Sequence, residues 1–316
     1  MRNPRTVYVM LAGGLGNQLF QLACGLSRGG DFCKLDVSLV NPRVNNEGRV
    51  DISDFELGPT VSYFNSRPKK KIASRAANFI LRSGMNPKRI ESWWLHRQVS
   101  VFLTSILLSF RTRMPVRVVQ GLDNGYFEIG KSYRNEYLIG YFQSYRWFKQ
   151  ESVRNEIRRI KLKVESPQLN KFLEEEKDLK AVLLHVRLGD YKLEKDFGIP
   201  LRQYYEDSLN HIKNIQGVNR IWLFSDEPEH ALTYIPDTLR EKARIVPTFK
   251  EGSATTLEAM RHAGSYIIAN SSLSWWGACL SYSANPLIIA PSPWFKSKPE
   301  PREIIPDHWE RVRAWG

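Results

Sequence analysis

Short, continuously apolar runs recur through the second half of the chain, separated by stretches whose apolar residues follow helical spacing. Such runs are typical of strands covered on both faces, and their alternation with helices predicts βαβ units and a parallel sheet. We predict strands over Ala181–Val186, Ile221–Phe224, Arg244–Val246, Tyr266–Ala269 and Leu287–Ala290, and helices over Arg202–Ile215, Thr255–Ala263 and Ser274–Tyr282, with one more opening at Ser166-Pro167.

The first half begins with the same alternation. A strand over Thr6–Leu11 is followed by a glycine turn at 13–16 and a helix over Asn17–Leu26, and further strands end near Asp36 and cover Glu136–Tyr141. We therefore predict two α/β halves joined near residues 145–175. In residue ranges, these are an N-terminal domain at 1–160 with a basic insertion at 65–120, a C-terminal domain at 161–295, and a proline-rich, extended tail at 296–316.

Charge is concentrated in one part of the chain. The net charge of the 316 residues is +13, and residues 65–120 contribute +11 of it, with twelve Lys and Arg against the single acid Glu91. An even positive coat would favour nucleic acid, whereas a single basic block on a near-neutral body does not. The block also contains Trp93, Trp94 and the apolar run 99–110, a combination that fits contact with an anionic membrane face. The alternative is a solvated surface with two buried tryptophans.

Composition places the chain among globular proteins, with 42% hydrophobic and 25% charged residues. The three cysteines, Cys24, Cys33 and Cys279, form no disulfide framework and no metal-binding pair, which indicates a reducing compartment. No cleavable signal and no apolar run long enough to cross a membrane is present. We expect a cytoplasmic protein, either free or peripheral on the inner face of the membrane.

Polar residues follow three of the predicted strands in the second half. In open α/β sheets ligands bind outside the carboxyl ends of the strands, so these residues are expected at one edge. An arginine, hydroxyl groups and a helix start together describe a phosphate site, although each serine or aspartate alone could simply cap a helix. The residues concerned are His185, Arg187, Asp190, Ser225, Asp226, Ser271, Ser272 and Ser274.

The N-terminal glycine turn has the position of a phosphate loop but not its sequence. It lacks the Gly-Lys-Ser/Thr ending, and Leu19 replaces the third glycine of a dinucleotide fingerprint. Gly13, Gly14 and Gly16 still allow a close backbone approach, and the amides of Asn17 and Gln18 suit hydroxyl-rich molecules. The alternative is a tight turn with a capping Asn17.

No Asp-x-Asp occurs near these strand ends, and no His and carboxylate cluster suggests a metal. The charge of a bound diphosphate is therefore expected to be met by Arg187 and N–H donors, without a metal or other cofactor.

Five segments resemble the motifs of glycosyltransferase family 11, the bacterial-type α-1,2-fucosyltransferases. They are GGLGNQLFQ near the start, GYFQSYRWF at 140–148, HVRLGDY at 185–191, FSD at 224–226 and NSSLSWWGA at 270–278. The resemblance implies a GT-B fold, with two Rossmann-like domains facing across a cleft. It also implies inverting, metal-independent transfer of fucose from GDP-β-L-fucose to the 2-hydroxyl of a terminal galactose, in an O-antigen or similar oligosaccharide, free or lipid-linked.

The resemblance assigns Arg187 to the donor diphosphate. With the strand-end residues and the glycine turn, we predict donor contacts from Arg187, His185, Ser225, Asp226, Thr256, Ser271, Ser272 and Ser274, and cleft or acceptor contacts from Gly14, Gly16, Asn17, Gln18 and Asp36. Arg187, Asp190 and His185 are the catalytic candidates. Asp190 is the first candidate for the general base, with His185 and Asp36 as alternatives.

Two positions depart from the family pattern. Leu188 replaces the second arginine of His-x-Arg-Arg-x-Asp, and Thr256, with Glu258 nearby, replaces a common aspartate. These departures leave open a different nucleotide-sugar donor. A polyanion-binding protein, suggested by the net charge, and a Rossmann oxidoreductase are further alternatives.

Overall fold

The chain folds into two α/β units, each built around its own parallel sheet. The first unit contains Met1–Lys163 with Pro301–Ile304, and the second contains Val164–Glu300 with Ile305–Gly316. The computed structural model describes residues 4–39, 50–64, 70–84, 94–122, 124–177, 180–194 and 196–316, with the backbone alone at 70–74, 84 and 94. The segment expected as a separate tail at 296–316 is thus divided between the units.

The first unit contains seven described strands and four described helices. The strands are β1 (Thr6–Met10), β2 (Phe32–Asp36), β3 (Phe55–Glu56), β4 (Val61–Phe64), β5 (Arg117–Gln120), β6 (Asn135–Ile139) and β7 (Lys161–Leu162). The helices are α1 (Leu15–Ser27), α2 (Lys70–Gly84), α3 (Trp94–Thr112) and α4 (Glu151–Arg158).

Five of these strands form one parallel sheet in the order β4-β2-β1-β6-β5, while β3 and β7 pair separately and antiparallel. Every residue of β1 is buried, because the strand is central and covered on both faces. The predicted strand, glycine turn and helix at the N-terminus are confirmed. Helix α1 begins earlier than predicted, at Leu15, because Leu15 and Gly16 already pack inside the unit.

The second unit contains six strands and six helices in its described part. The strands are β8 (Ala181–Val186), β9 (Arg220–Ser225), β10 (Ala243–Ile245), β11 (Ser265–Ile267), β12 (Leu287–Ser292) and β13 (Glu310–Arg313). The helices are α5 (Pro167–Glu176), α6 (Arg202–Gln216), α7 (Pro228–Ala231), α8 (Asp237–Arg240), α9 (Ser253–Arg261) and α10 (Ser272–Cys279).

The second sheet is entirely parallel, in the order β10-β9-β8-β11-β12-β13. This is the Rossmann order, and the direction of winding reverses between β8 and β11. All five predicted strands are present. Strand β13, which sequence analysis missed, is the short edge strand ERVR, whose charged, half-exposed residues give no apolar run.

The basic block at 65–120 is only partly described. Residues 65–69 and 85–93, including Trp93, lie outside the described residues, as does the side chain of Trp94. No helix in the described ranges is both long enough and apolar enough to cross a membrane.

Candidate functional site

The best-defined polar cluster of the second unit lies at the carboxyl ends of β8 and β9. Arg187, directly after β8, is bracketed by two carboxylates: its guanidinium lies 2.7 Å from Asp190 and 3.3 Å from Asp226. Asp190 follows on the same connection, and Asp226 follows β9. The structure thus brings together three of the residues predicted for the site, at the point of the sheet where Rossmann-type folds bind ligands.

Asp226 holds the turn that carries Arg187. Its second carboxylate oxygen accepts a hydrogen bond from the backbone N–H of Leu188 at 3.0 Å. Gly189 allows this approach, because a Cβ at that position would lie 2.5 Å from Oδ2 of Asp226. We therefore regard Asp226, predicted as a donor contact, as a residue that positions Arg187.

The burial of Leu188 accounts for the absence of a second arginine at this position. Its side chain is completely buried in the core of the second unit, together with Val186 and Tyr205. An arginine here would have to leave that core. The nearest cation along the turn, Lys192, is paired with Glu227 at 2.6 Å.

Two residues that sequence analysis did not assign tie this turn to the end of β11. The hydroxyl of Tyr191 donates to the backbone carbonyl of Asn270 at 3.1 Å, and the Asn270 side-chain amide donates to the carbonyls of Phe197 and Gly198 at 3.0 and 3.2 Å. Asn270 is buried, and its side-chain oxygen has no partner among the described residues. Both residues stand inside the quoted motifs, HVRLGDY and NSSLSWWGA, which is the signal that could have found them.

The serines after β11 have different environments. Ser271 is the N-cap of α10, yet its side chain makes no capping hydrogen bond, so the first-turn N–H groups lack that partner. Ser272 is the first helical residue and half-buried. Ser274 corrects the prediction: it is completely buried and its hydroxyl donates to the Ser271 carbonyl at 3.2 Å, so it cannot contact a donor substrate.

His185 lies within β8 and is buried. Burial, and then the neighbouring charge of Arg187, lower the pKa of His185 to about 3. A neutral imidazole with so low a pKa is a weak proton acceptor at pH 7. We therefore remove His185 from the candidates for the general base.

Ser225 and Thr256 use their hydroxyls locally. The Ser225 oxygen accepts a hydrogen bond from the Glu227 N–H at 3.1 Å, and the Thr256 hydroxyl donates to the Gly252 carbonyl at 3.2 Å. Glu258 does not replace the missing aspartate, because its carboxylate pairs with Arg261 at 2.8 Å and accepts from the Tyr282 hydroxyl at 2.7 Å.

In the first unit, the glycine turn meets the end of β6. Asn17 accepts a hydrogen bond from the side-chain amide of Gln143 at 2.7 Å, which joins the motifs GGLGNQLFQ and GYFQSYRWF. Gly13 adopts φ +74, and a Cβ there would strike Asn17. Gly14 has open space where a Cβ would stand, so its backbone is accessible at this edge.

Three other residues predicted at this edge are buried, which corrects the prediction for them. Gly16 is buried in the first turn of α1. Gln18 is completely buried, donating to the Gly13 carbonyl at 2.9 Å and accepting from the Ile52 N–H at 3.0 Å. Asp36 is completely buried as well and forms an ion pair with Arg111 at 2.8 Å.

Asp36 also accepts a hydrogen bond from the Tyr137 hydroxyl. Burial, followed by the charge of Asp36, raises the pKa of Tyr137 well above its ordinary value, so the tyrosine remains a donor. With both partners in place, the Asp36 carboxylate is engaged in the interior of the first unit. Gly14 and Asn17 remain as the candidates here.

The described side chains contain no group of three His, Cys, Asp or Glu residues arranged to hold a metal ion. At the edge of the second sheet, the segments 187–192 and 225–227 carry Asp190, Asp226 and Glu227 against Arg187 and Lys192. The guanidinium of Arg187 is therefore already ion-paired, and any anionic ligand must compete for it with a carboxylate.

Comparison with known proteins agrees with the resemblance in sequence. A family model described as Glycosyl transferase family 11 matches residues 6–309. An alpha-1,2-colitosyltransferase of Escherichia coli is 27% identical over 97% of this chain and 98% of its own length. The O-antigen biosynthesis glycosyltransferase WbnK of Escherichia coli is 30% identical over 131 residues, which is 40% of this chain and 42% of that protein.

Among solved structures, the fucosyltransferase NodZ from Bradyrhizobium has a TM-score of 0.50 at 14% identity, covering 89% of this chain and 94% of NodZ. A likeness at this identity shows the fold alone. Together with the two sheets described above, it confirms the predicted fold class, a GT-B fold with two Rossmann-like units.

Proposed function

The chain belongs to glycosyl transferase family 11, and from that premise we propose that it transfers L-fucose from GDP-β-L-fucose to the 2-hydroxyl of a terminal galactose, with inversion. The observation that carries the proposal is the position of Arg187. It stands at the carboxyl end of β8, beside the point where the second sheet reverses direction, with the uncapped start of α10 following the neighbouring strand β11.

We assign the diphosphate of the donor to Arg187 and the start of α10. A guanidinium offers a pair of parallel N–H donors to phosphate oxygens, and the first N–H groups of a helix favour negative charge. Ser271 and Ser272 add hydroxyls at the same place. The charge that develops on the leaving diphosphate is met by these groups, and the proposal includes no metal. Activity that is unchanged after treatment with EDTA is the expected result, and activity restored only by a divalent cation would contradict it.

Arg187 is paired in this structure, so binding requires an exchange of partners. Asp226 is less exposed and also holds the Leu188 N–H, whereas Asp190 stands in a short turn with its side chain about half exposed. Asp190 is therefore the carboxylate that gives way. We propose that a phosphate oxygen takes its place on Arg187 and that the released Asp190 is the general base.

In the transfer step, one bond to the anomeric carbon forms and one breaks. The acceptor hydroxyl oxygen forms a bond to the anomeric carbon from the face opposite the diphosphate while the bond from that carbon to the phosphate oxygen breaks. The hydroxyl proton passes to Asp190, and GDP leaves. The transition state has oxocarbenium character, as in glycoside hydrolysis. For the acceptor we propose contacts from Gly14 and Asn17, whose backbone and amide suit sugar hydroxyls.

The role of Asp190 is tested by a pH–rate profile. General bases contribute about 10²–10⁴ in rate, so Asp190→Asn is expected to lose the acidic limb of the profile together with that factor. A variant that keeps the acidic limb would leave Asp190 as a partner of Arg187 only, without affecting the donor assignment.

The coarse function is tested by incubating the protein with GDP-fucose and a panel of β-galactosides, assigning the product linkage by NMR. The expected product carries fucose α-linked to the galactose 2-hydroxyl. Arg187→Ala is the negative control, and Arg240→Ala, which changes an exposed arginine that pairs with Asp237 and donates to the Ile235 carbonyl, is the positive one. A different linkage would overturn the acceptor assignment. If GDP-fucose is turned over with none of the β-galactosides, the proposal as a whole is overturned.

A second donor is favoured by one observation. The relative that aligns with nearly the whole chain is an alpha-1,2-colitosyltransferase, and colitose is L-fucose without its 3-hydroxyl. A site that hydrogen-bonds this hydroxyl rejects the analogue by about 10⁴–10⁵, whereas a site that does not contact it discriminates little. The ratio of kcat/KM for GDP-fucose and GDP-colitose therefore decides between the two donors.

A further inference from the structure

Helix α3 in the first unit presents a row of apolar side chains to solvent. At 100° per residue, they fall within an arc of about 100° on one side of the helix. Phe110 is 80% exposed and Phe102 is 65% exposed, values unusual for phenylalanine in a folded protein. The row consists of Leu95, Val99, Phe102, Leu103, Ile106 and Phe110, and we call it the α3 face.

This face is not the one by which α3 packs on its own unit. Thr104 and Leu108, on the opposite side of the helix, are buried, and Leu108 belongs to the core cluster that includes Ile80 and Val118. A surface helix ordinarily has one apolar side and one polar side. Helix α3 has two apolar sides, and the side chains of the second one are 40–80% exposed. Contiguous exposed apolar surface of this kind marks an interaction site.

Exposed arginines stand on the segments next to the α3 face. Helix α2 packs against α3 and carries the exposed Arg75 and Arg82, with the exposed Phe79 between them, and Arg113 is exposed just beyond the end of α3. The exposed apolar row is thus accompanied by three exposed positive charges on α2 and at the end of α3.

The charge decides which partner fits. A second copy of this chain placed face to face would bring the same arginines together, and like charges opposed across an interface are unfavourable. A bilayer with anionic headgroups provides the complement. Apolar side chains enter the boundary of the acyl chains while arginine stems extend to the phosphates. We propose that the α3 face, with Arg75, Arg82 and Arg113, binds the surface of an anionic lipid bilayer.

The proposal goes beyond the glycosyl transfer reaction and does not depend on it, because none of these residues lies at a strand end. Its test is flotation of the purified full chain with vesicles of phosphatidylcholine alone and vesicles that also contain phosphatidylglycerol. The wild-type chain is expected to float with the anionic vesicles only. The bound fraction should fall as salt is raised, because screening weakens the headgroup attraction.

Two variants separate the apolar from the charged part of the surface. The double substitution Phe102→Glu with Phe110→Glu removes the apolar centre, and the triple reversal Arg75→Glu, Arg82→Glu and Arg113→Glu removes the charge. Each arginine near an anionic surface is worth roughly a fivefold change in partitioning, so the charge variant should lose about a hundredfold in its partition coefficient. The phenylalanine variant should lose at least about tenfold, because two large apolar side chains no longer enter the bilayer. Both variants should retain transfer to a soluble β-galactoside.

Matched controls exclude effects of general charge. The double substitution Val164→Glu with Ile215→Glu introduces two acids at exposed apolar positions of the second unit, and reversal of the exposed Arg159, Lys213 and Lys250 changes the net charge equally. Both controls should float like the wild type. Circular dichroism confirms folding, and Phe102→Ser alone is the milder variant if the double substitution does not fold.

Three results would overturn the proposal. The first is a wild-type chain that stays with the soluble fraction in the presence of anionic vesicles. The second is a charge variant that floats unchanged. The third is a dimer in size-exclusion chromatography that becomes a monomer in the phenylalanine variant, since a second copy would then occupy the face. None of these results bears on the donor, whose binding and turnover are measured with soluble substrates.

Discussion

Both sheets of this protein are parallel, yet the polar residues near their carboxyl edges have different environments. At the edge of the second sheet, Arg187 and Asp190 are partly exposed. In the first unit, Asp36 at the end of β2 and Gln18 in the first turn of α1 are completely buried, with partners in the interior. A polar residue at a strand end is therefore a site candidate only where its side chain faces away from the core.

The largest expected effect concerns Asp36, the buried carboxylate of the first unit. Asp36→Asn leaves Arg111 buried without its anion, and breaking a buried ion pair in this way costs about 3–5 kcal/mol. Urea unfolding should show that loss, and Asp36→Asn combined with Arg111→Met should recover part of it. The turnover of the remaining folded enzyme should be near normal. A fall in turnover much greater than the loss of folded protein would instead place Asp36 in the active site.

The next effect lies on the exposed side. Arg187→Ala removes a preorganised contact to the leaving diphosphate, which commonly costs about 10²–10³ in kcat. Arg187→Lys should recover little, because a fork of donors becomes a point charge. Since the side chain is partly exposed, unfolding by urea should change little in either variant. Steady-state kinetics with GDP-fucose make the measurement, and near-normal turnover by Arg187→Ala would refute the assignment.

His185, buried in β8, has an effect that appears as a dependence of stability on pH. Its pKa is lowered to about 3 by burial and by Arg187, while the unfolded chain has the ordinary value of 6.5. Between these values the unfolded state binds more protons, so stability rises with pH and is lost as the pH falls through this window. At pH 5 the loss from this residue is about 2 kcal/mol.

Replacing His185 by the neutral Gln removes this particular linkage. The variant should lose less stability than the wild type between pH 7 and pH 5 when urea midpoints are compared. His211→Gln, at an exposed histidine paired with Glu310, is the matched control for replacing an imidazole at the surface. Equal slopes for His185→Gln and the wild type would show that the imidazole is solvated in the folded protein.

Much of this fold could be predicted because strands buried on both faces leave apolar runs in the sequence. All five strands predicted in the second half are present, as are the strand, turn and helix at Thr6–Ser27. Strand β13 was missed because an edge strand needs no apolar run. The start of α10 was misplaced because the three serines within residues 271–274 offer several caps, and only the backbone decides that Ser271 occupies that position.

The site was less predictable, since spacing along a strand end does not determine side-chain direction. The proximity of Arg187, Asp190 and Asp226 could be predicted because the motifs HVRLGDY and FSD end on one sheet edge. Ser274 was assigned wrongly because it follows the capping position closely but points inward. Asn270 was placed at this edge without a role and Tyr191 was passed over, because their hydrogen bond joins segments about 80 residues apart, and such contacts leave no local pattern.

The smallest expected effect compares one glycine from each edge. Gly189→Ala places a Cβ 2.5 Å from Oδ2 of Asp226, whereas Gly14→Ala enters open space. The first substitution must move Asp226, and the contact to Arg187 and the bond to the Leu188 N–H move with it. We expect Gly189→Ala to cost about 1–2 kcal/mol in stability and about tenfold in kcat/KM for the donor, while Gly14→Ala leaves stability unchanged.

In an Asp226→Ala background the Gly189→Ala substitution should cost little, since the side chain that it displaces is absent. Two results would show that Asp226 does not position Arg187: an equal loss of donor kcat/KM in both glycine variants, or a cost of Gly189→Ala that persists without the Asp226 carboxylate. In either case the contact between Asp226 and Arg187 would no longer distinguish the second sheet edge from the buried residues of the first unit.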